Sequence, residues 1–318
     1  MPSLSKALGP VLQLASLCAL GVLAAVSADQ ALRVRRALRD ADAAPPRRPY
    51  QYRALRAQRR VLIVGDSTGV GIGAECPTQS MAGLLAAEWR GAEVVNLSVS
   101  GATLGDVPGQ LRHLGPHAAR FDVVLLHIGG NDILRSPNLL TMQQAAEALL
   151  PRLREAGDRV IWVGPGDVGL APLFRPPFSW WLSRRSRLAC ELFQRLAEQH
   201  GAEFVGFHGG PHRDLLVRQR ERFFAGDGFH PNSHGYRYCY GWVMQSMGMQ
   251  QGLVRRRFRA ASDALAVHAQ VPFVPAAGRT HAHPSSPWTG APGCPLPRPS
   301  PSVFAVDKEF NAVMIPTK

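Results

Sequence analysis

A serine, a histidine and an aspartate stand in sequence contexts that suit nucleophilic catalysis. Ser67 follows a run of four apolar residues and a Gly-Asp pair, a pattern that predicts a buried strand ending in a sharp turn. Asp227 and His230 lie three positions apart, before the last predicted helix. A carboxylate bonded to one imidazole nitrogen fixes the tautomer, so the other nitrogen can draw the proton from a serine hydroxyl. The three residues therefore predict a serine nucleophile with an acid–base pair.

Two residues that follow other predicted strands can supply hydrogen-bond donors to an oxyanion. Gly101 lacks a Cβ, so its backbone N–H can approach a substrate oxygen closely. Asn131 carries an amide NH₂ that can donate to the same oxygen. Together with the N–H of Ser67, these groups form the candidate oxyanion hole of an acyl-transfer site.

The elements that must position these residues alternate between strands and helices. Apolar runs predict strands over residues 61–64, 93–97, 121–128, 159–164 and 203–207. Helical patterns fill residues 80–89, 106–114, 141–156, 183–200 and 232–249. This alternation predicts βαβ units, and hence an α/β fold with a five-stranded parallel sheet between two layers of helices. Since ligands bind beyond the carboxyl ends of parallel strands, we expect the loops with the candidate residues to meet at one edge of the sheet.

Four short blocks, in order along the chain, resemble those of the SGNH (GDSL-type) hydrolase superfamily of serine esterases and lipases. They are Gly65-Asp66-Ser67, Gly101, Gly129-Gly130-Asn131-Asp132 and Asp227-Gly228-Phe229-His230-Pro231. The resemblance covers about residues 60–250 and implies a flavodoxin-like three-layer α/β/α sandwich. It also implies Ser67 as nucleophile, Asp227 and His230 as the rest of the triad, and Ser67, Gly101 and Asn131 as the oxyanion hole. Thr68-Gly69 departs from the family pattern, in which many members carry Ser-Leu or another apolar residue after the nucleophile.

The implied reaction is hydrolysis of a carboxylic ester through an acyl-enzyme, with no metal ion or cofactor required. Lipid-like or short acyl esters are the expected substrates. The same triad serves an acyltransferase or a carbohydrate O-deacetylase, and a catalytically silent SGNH-like domain would be a binding module, so these alternatives stay open. Gly65-x-Ser67-x-Gly69 also fits the nucleophile elbow of α/β-hydrolases, but there more of the sheet precedes the serine, and the acid and histidine lie on separate loops.

Three other polar residues near the motifs have simpler interpretations. His127 lies within a predicted strand, so we expect a histidine of the core or of the cleft wall. His234 lies one helical turn after His230 but has no aspartate three positions before it, which makes it the second choice for the base. Asp132 follows Asn131 and is expected to orient that loop.

The composition is strongly basic, with 36 Lys and Arg against 23 Asp and Glu and a formal net charge of +13. Nearly all of the excess is arginine spread through the chain, without interleaved aromatic residues, so we do not expect a nucleic-acid partner. No two of the five cysteines form a C-x-x-C pair, which gives no support to a metal or redox motif. A disulfide among Cys76, Cys190 and Cys239 stays open.

The termini predict a division of the chain into four parts. Residues 1–28 contain a long apolar run that suits a signal peptide or a membrane anchor. Residues 29–59 suit a basic Pro/Ala-rich linker, residues 60–252 the hydrolase domain, and residues 253–318 a basic extension with a disordered Pro-rich tail. We therefore expect a protein that is anchored in the membrane or exported to the cell envelope. The arginines after the apolar run conflict with the possible cleavage site, so the orientation stays open.

Residues 166–183 form an apolar, proline-rich insertion after the fourth predicted strand. The segment includes Phe174, Phe178, Trp180 and Trp181. One interpretation is a pocket for an acyl chain, or a surface that enters a bilayer, so a membrane surface is a possible partner. The alternative is that the segment packs against the adjacent helix.

Overall fold

Six strands form one central sheet in the computed structural model, which describes residues 4–43, 48–89, 91–115 and 118–248. The strands are β1 Tyr52–Arg53, β2 Arg59–Gly65, β3 Ala92–Asn96, β4 Phe121–His127, β5 Gly157–Gly166 and β6 Glu203–Phe207. The α-helices within these ranges are α1 Leu4–Ala43, α2 Ser67–Val70, α3 Met81–Glu88, α4 Val107–Leu111, α5 Gly130–Arg135, α6 Leu139–Ala156, α7 Phe178–Gln199, α8 Gly210–Phe223 and α9 Ser233–Gly248. The predicted extension and tail over residues 253–318 lie outside the described residues.

The order of the strands creates a crevice beside the end of β2. The order is β1-β3-β2-β4-β5-β6, and each pair is parallel except β1 with β3. The chain passes from β2 to β3 on one side and then crosses to β4 on the other, so the winding direction reverses between β2 and β4. Gly65 pairs with His127, which brings the carboxyl ends of these two strands level. Ligands of open α/β sheets bind at such a reversal.

Helices cover both faces of the sheet. Successive side chains of a strand point to opposite faces, and β2 accordingly contributes to two cores. Leu62 and Val64 pack in a core with α6 and α7, whereas Val61 and Ile63 pack in a core with α3 and α9. All four side chains are fully buried. A strand buried on both faces explains why the sequence before Ser67 is apolar without alternation.

All five predicted strands are present, and the α/β/α sandwich is confirmed. The all-parallel, five-stranded sheet requires a correction, because the short edge strand β1 adds a sixth, antiparallel member. Tyr52 of β1 lies opposite Val94 of β3. A strand of two residues is too short to show a periodic pattern, so the sequence gives no indication of it.

Two helical features differ from the predictions. α7 begins at Phe178, directly after a pair of prolines, and not at residue 183, so the predicted insertion is partly helical. α8 was not predicted, because its sequence is mostly polar and has no continuous apolar stripe. Its backbone is kinked at Gln219, where φ is −131° and ψ is 31°.

The N-terminal helix α1 is largely exposed but contacts the rest of the chain. By length and composition, its stretch Ser16–Ala37 could cross a membrane, and 6% of that stretch is buried. Gln30 is buried and makes two hydrogen bonds, from Nε2 to the carbonyl of Leu173 at 3.2 Å and from the N–H of Arg175 to Oε1 at 3.0 Å. Val34 packs against the core that contains α6 and α7. α1 is continuous through residue 28, and the predicted division there stays a prediction.

Candidate active site

A sharp backbone turn places Ser67 at the crevice. Gly65 ends β2 with φ of +144°, and a Cβ at this position would lie 1.8 Å from the carbonyl oxygen of His127. The site therefore requires glycine. The Asp66 carboxylate caps α2 by accepting from the N–H of Thr68 at 2.9 Å and from its hydroxyl at 2.7 Å. Ser67 is the first residue of α2. The N–H groups of the first helical turn have no acceptor within the helix, so the N–H of Ser67 is not used in the helix.

Gln110 of α4 forms hydrogen bonds with the backbone of the same turn. The sequence did not predict this role. Its Oε1 accepts from the N–H of Gly65 at 2.9 Å, and its Nε2 donates to the carbonyl of Gly65 at 2.7 Å. The side chain is 4% exposed. A buried glutamine in an otherwise apolar stretch was the available signal, since a buried amide requires partners. Gln110 thereby fixes the backbone two residues before the serine.

The loop before α9 brings an aspartate and a histidine to Ser67. Oδ2 of Asp227 lies 2.6 Å from Nδ1 of His230, and Nε2 of His230 lies 2.8 Å from Oγ of Ser67. Oδ1 of Asp227 accepts from the N–H of Phe229 at 2.8 Å and from that of His230 at 3.0 Å. The carboxylate accepts the Nδ1–H, which leaves Nε2 to accept from the serine hydroxyl. The sequence-predicted trio is thus one continuous hydrogen-bonded chain.

The charge state of Asp227 follows from this geometry. Partial burial acts to raise the pKa of its carboxyl, but the hydrogen bond and charge of His230, with the two backbone N–H groups, outweigh burial. The pKa therefore lies below its ordinary value. A carboxylate that stays ionised can stabilise an imidazolium.

Three residues of α5 form hydrogen bonds with the loop of Gly101. Nδ2 of Asn131 donates to the carbonyl of Ala102 at 3.0 Å, which leaves the second amide hydrogen for another acceptor. Asp132 accepts from the N–H of Leu104 at 3.1 and 3.2 Å. Arg135 donates to the carbonyl of Gly101. These bonds link Gly101 and Asn131, the two predicted oxyanion donors, through the loop of Gly101 and helix α5.

Gly101 has the backbone conformation that requires glycine, with φ of +80°. It is exposed, and a Cβ built on it would meet nothing within 4 Å. Its place in the chain is therefore explained by its dihedral angles and not by lack of space.

Two carboxyls beside the serine are buried. Burial raises the pKa of Asp132 to about 6, against the opposing effect of the Leu104 N–H. Burial likewise raises the pKa of Asp66, although its bonds to Thr68 act in the other direction. Asp132 accepts from the N–H of Leu104 in the Gly101 loop, and its predicted orienting role for the loop of Asn131 stays a prediction.

His127 and His234 occupy different places. His127 ends β4, is 4% exposed, and has an Nε2 without a hydrogen-bond partner among the described residues. Burial lowers its pKa to about 4, so the ring is neutral at neutral pH. His234 lies in α9 with its ring 5.2 Å from that of Phe223. His230 is the histidine that contacts Ser67.

A cavity of about 160 Å³ opens at Ser67, Asn131 and His230. It continues between the sheet and the last two helices, where its walls are mostly apolar side chains of β5, β6, α8 and α9. They include Val163, Phe207, Leu216, Phe223 and Cys239. Gly101 is not part of this lining.

The four residues predicted as an acyl pocket do not line this cavity. Phe174 is buried, with its ring 6.0 Å from that of Phe229. Phe178 is half-buried. Trp180 and Trp181 are 70% and 54% exposed at the start of α7. Their predicted role stays a prediction.

The cysteines and acidic residues give no sign of metal chemistry in the described ranges. Within these ranges, no group of three or more His, Cys, Asp or Glu is arranged to hold a metal ion. Cys76 is disulfide-bonded, whereas Cys190 and Cys239 are free thiols, so no disulfide joins two of these three. Burial raises the pKa of both free thiols to about 12, which makes them poor nucleophiles.

A mostly parallel sheet between two layers of helices, with a hydrogen-bonded chain of Ser67, His230 and Asp227 at its strand reversal, is the arrangement that the structure shows. The chain belongs to the GDSL-like Lipase/Acylhydrolase family, whose family model matches residues 63–238. Membership of this family makes the protein an SGNH-type carboxylic ester hydrolase. None of the curated proteins searched matches the chain.

Several solved structures are similar to this chain. LAE5, an alpha/beta hydrolase enzyme from the metagenome of Lake Arreo in Spain, is 24% identical with a TM-score of 0.47, and the match covers 60% of this chain and 96% of that one. A member of the lipolytic protein G-D-S-L family from Veillonella parvula is 18% identical with a TM-score of 0.49, over 58% and 96% of the chains. A catalytic mutant of Axe2, an acetylxylan esterase from Geobacillus stearothermophilus, is 18% identical with a TM-score of 0.47, over 60% and 95%.

Proposed function

We propose that the protein hydrolyses lipid-like or short acyl esters through an acyl-enzyme on Ser67. The observation that carries this proposal is the unbroken chain from Asp227 through His230 to Oγ of Ser67, with distances of 2.6 and 2.8 Å. These are distances of hydrogen bonds that can pass a proton from a serine to an imidazole.

In the first half-reaction, Oγ of Ser67 attacks the ester carbonyl carbon while Nε2 of His230 takes the hydroxyl proton. Asp227 holds the Nδ1–H and stabilises the imidazolium. The carbonyl oxygen becomes an oxyanion, which accepts from the free amide hydrogen of Asn131 and from the N–H groups of Ser67 and Gly101. The bond to the alcohol then breaks, and His230 returns the proton to the leaving alkoxide.

In the second half-reaction, His230 removes a proton from water, and the hydroxide oxygen attacks the acyl carbon. The tetrahedral intermediate collapses, the carboxylic acid leaves, and Ser67 regains its proton from His230. An alcohol in place of water would give acyl transfer by the same steps.

The test is covalent labelling of the purified full chain with a fluorophosphonate probe. We expect labelling of the wild type and none of Ser67→Ala, with a burst of p-nitrophenol from p-nitrophenyl acetate only in the wild type. Ser98→Ala is a matched control, because Ser98 is also buried near the crevice but its Oγ has no hydrogen-bond partner among the described residues. Labelling that persists in Ser67→Ala would overturn the assignment, and absence of labelling in the wild type would favour a binding module.

We also propose that α1 associates with a membrane. The support is its span-length apolar stretch and the exposure of its apolar side chains, such as Leu17 at 65% and Val22 at 64%. We expect the full chain to require detergent for extraction, and a chain that lacks residues 1–28 to be soluble without it. Extraction of the full chain by high-pH buffer alone would contradict membrane insertion.

A further inference from the structure

The cavity behind Ser67 is the feature of the site that the reaction itself does not explain. It starts at Ser67 and His230 and extends between the sheet and the helices α8 and α9. Its lining includes the apolar side chains of Val163, Phe207, Leu216 and Phe223 and the thiol of Cys239. An apolar space that begins at a nucleophile is suited to the apolar part of a group attached to the reacting carbonyl.

Some of the polar groups in the wall are hydrogen-bonded to the protein or are uncharged. The carboxylates of Asp66 and Asp167 accept from the backbone N–H groups of Thr68 and Gly169, at 2.9 and 3.0 Å. Burial keeps the ring of His127 neutral, with a pKa of about 4, and keeps the thiol of Cys239 protonated, with a pKa of about 12. Two wall residues with ionisable groups are thus uncharged at neutral pH.

The volume of the cavity sets the size of its occupant. At about 160 Å³, it is close to the roughly 150 Å³ of an engineered apolar protein cavity that binds benzene, a molecule of six carbons. Longer chains would have to displace side chains of the lining, and shorter chains would leave part of the space empty, with loss of contact.

We propose that this cavity binds the acyl chain of the ester and selects acyl groups of about six carbons. The acyl carbonyl then lies at Ser67, the chain extends between the sheet and α8 and α9, and the alcohol part leaves on the side that opens to solvent. This inference rests on the proposed function and narrows its substrate class to medium-chain acyl esters.

The experiment is a series of p-nitrophenyl esters from acetate to decanoate with the full chain in detergent. We expect kcat/KM to rise about fourfold for each added methylene up to about six carbons, and then to level off or fall. A flat profile, or one that continues to rise to decanoate, would overturn the proposal.

Variants that fill or enlarge the cavity test whether the acyl chain of the ester binds there. Cys239→Phe is expected to lower kcat/KM for the hexanoate about 100-fold while the acetate changes far less, and Phe207→Ala is expected to move the optimum to longer esters. Leu188→Phe adds the same aromatic group as Cys239→Phe at a position of α7 that is 37% exposed and outside the cavity, so its optimum should stay at six carbons.

Leu216→Phe provides a second filling variant if Cys239→Phe does not fold, as judged by circular dichroism. Folded filling variants with an unchanged optimum would overturn the proposal. The proposal would also be overturned if Trp180→Ala or Trp181→Ala changed the optimal acyl chain length while the cavity variants did not. Fluorophosphonate labelling at Ser67 separates the two failures, because labelled enzyme with an unchanged optimum refutes only the acyl cavity, whereas unlabelled wild type refutes both.

Discussion

The loop before α9 and the end of β4 each contribute a histidine to the lining of the cavity at Ser67, in opposite environments. His230 has a carboxylate on one ring nitrogen and the serine hydroxyl on the other. His127 is buried, has an unpartnered Nε2 among the described residues, and has its pKa lowered to about 4. A histidine therefore becomes a base through its hydrogen-bond partners and not through a place in the lining of the cavity.

The largest expected effect comes from loss of the partnered histidine. His230→Ala removes the only imidazole bonded to Oγ of Ser67 within the described part of the chain, and we expect kcat for p-nitrophenyl butyrate to fall by about 10⁶. His234→Ala is the matched control, one helical turn away, and should change kcat by less than about tenfold. Comparable losses in both variants would break the distinction between the histidines.

The next effect tests the carboxylate that gives His230 its orientation. Asp227→Asn keeps the shape of the side chain but removes the charge that the Nδ1–H contacts at 2.6 Å. The amide can turn its NH₂ to Nδ1 and so favour the wrong tautomer, and we expect kcat to fall by about 10⁴ with little change in KM. A loss of less than tenfold, from steady-state kinetics, would show that His230 does not depend on this partner.

We expect His127, the buried histidine, to affect the stability of the fold, whereas His230 affects catalysis. The unfolded chain binds a proton at His127 below pH 6.5, whereas the folded chain does so only below about pH 4. The free energy of unfolding therefore falls as the pH is lowered through this window, by about 3 kcal/mol from this group. We expect His127→Leu to remove that loss, as measured by urea unfolding at pH 6.5 and 4.

An unchanged pH dependence in His127→Leu would mean that the ring is protonated in the folded state. The comparison is sharpest as a difference between wild type and variant, because other groups titrate in the same window. Asp227 is separated from this effect, since a carboxyl with a lowered pKa loses its contribution only below its ordinary value of 3.8.

The smallest expected effect is that of Asp132 on the free energy of unfolding, and its pH dependence is opposite in sign to that of His127. The folded-state pKa of Asp132, about 6, lies above the ordinary 3.8, so the folded chain binds the proton first and the free energy of unfolding rises as the pH falls between these values. Asp132→Asn should remove a gain of about 2–3 kcal/mol on acidification. Because the asparagine Oδ1 can still accept from Leu104, the variant should fold, and an unaltered gain would show that burial does not govern this carboxyl.

The sequence predicted most of the fold and the three residues of the hydrogen-bonded chain for the same physical reason. Strands buried on both faces are long apolar runs, and the three residues of the hydrogen-bonded chain lie shortly after such a run or before a clear helix. The partner of Gln110 and the lining of the cavity could not be predicted, because they depend on contacts between distant segments, and α8 lacked an apolar stripe that would have indicated a helix. Gln110 meets Gly65 across 45 positions, and no local pattern records that meeting. The aromatic segment 166–183 was prominent in the sequence, yet the cavity wall comes largely from residues of other segments.

The contact of Gln30 with the 173–175 segment has a consequence for any form of the protein that loses its apolar leader. Leu173 also donates its N–H to the carbonyl of Gly228, at 2.9 Å, inside the loop that carries Asp227 and His230. Cleavage after Ala28 would leave the glutamine as the second residue of a new amino terminus, where no preceding helical turn holds the backbone. A processed protein would thus retain the Gln30 side chain, which contacts Leu173. It would lose the preceding part of helix α1, which holds Gln30 in position.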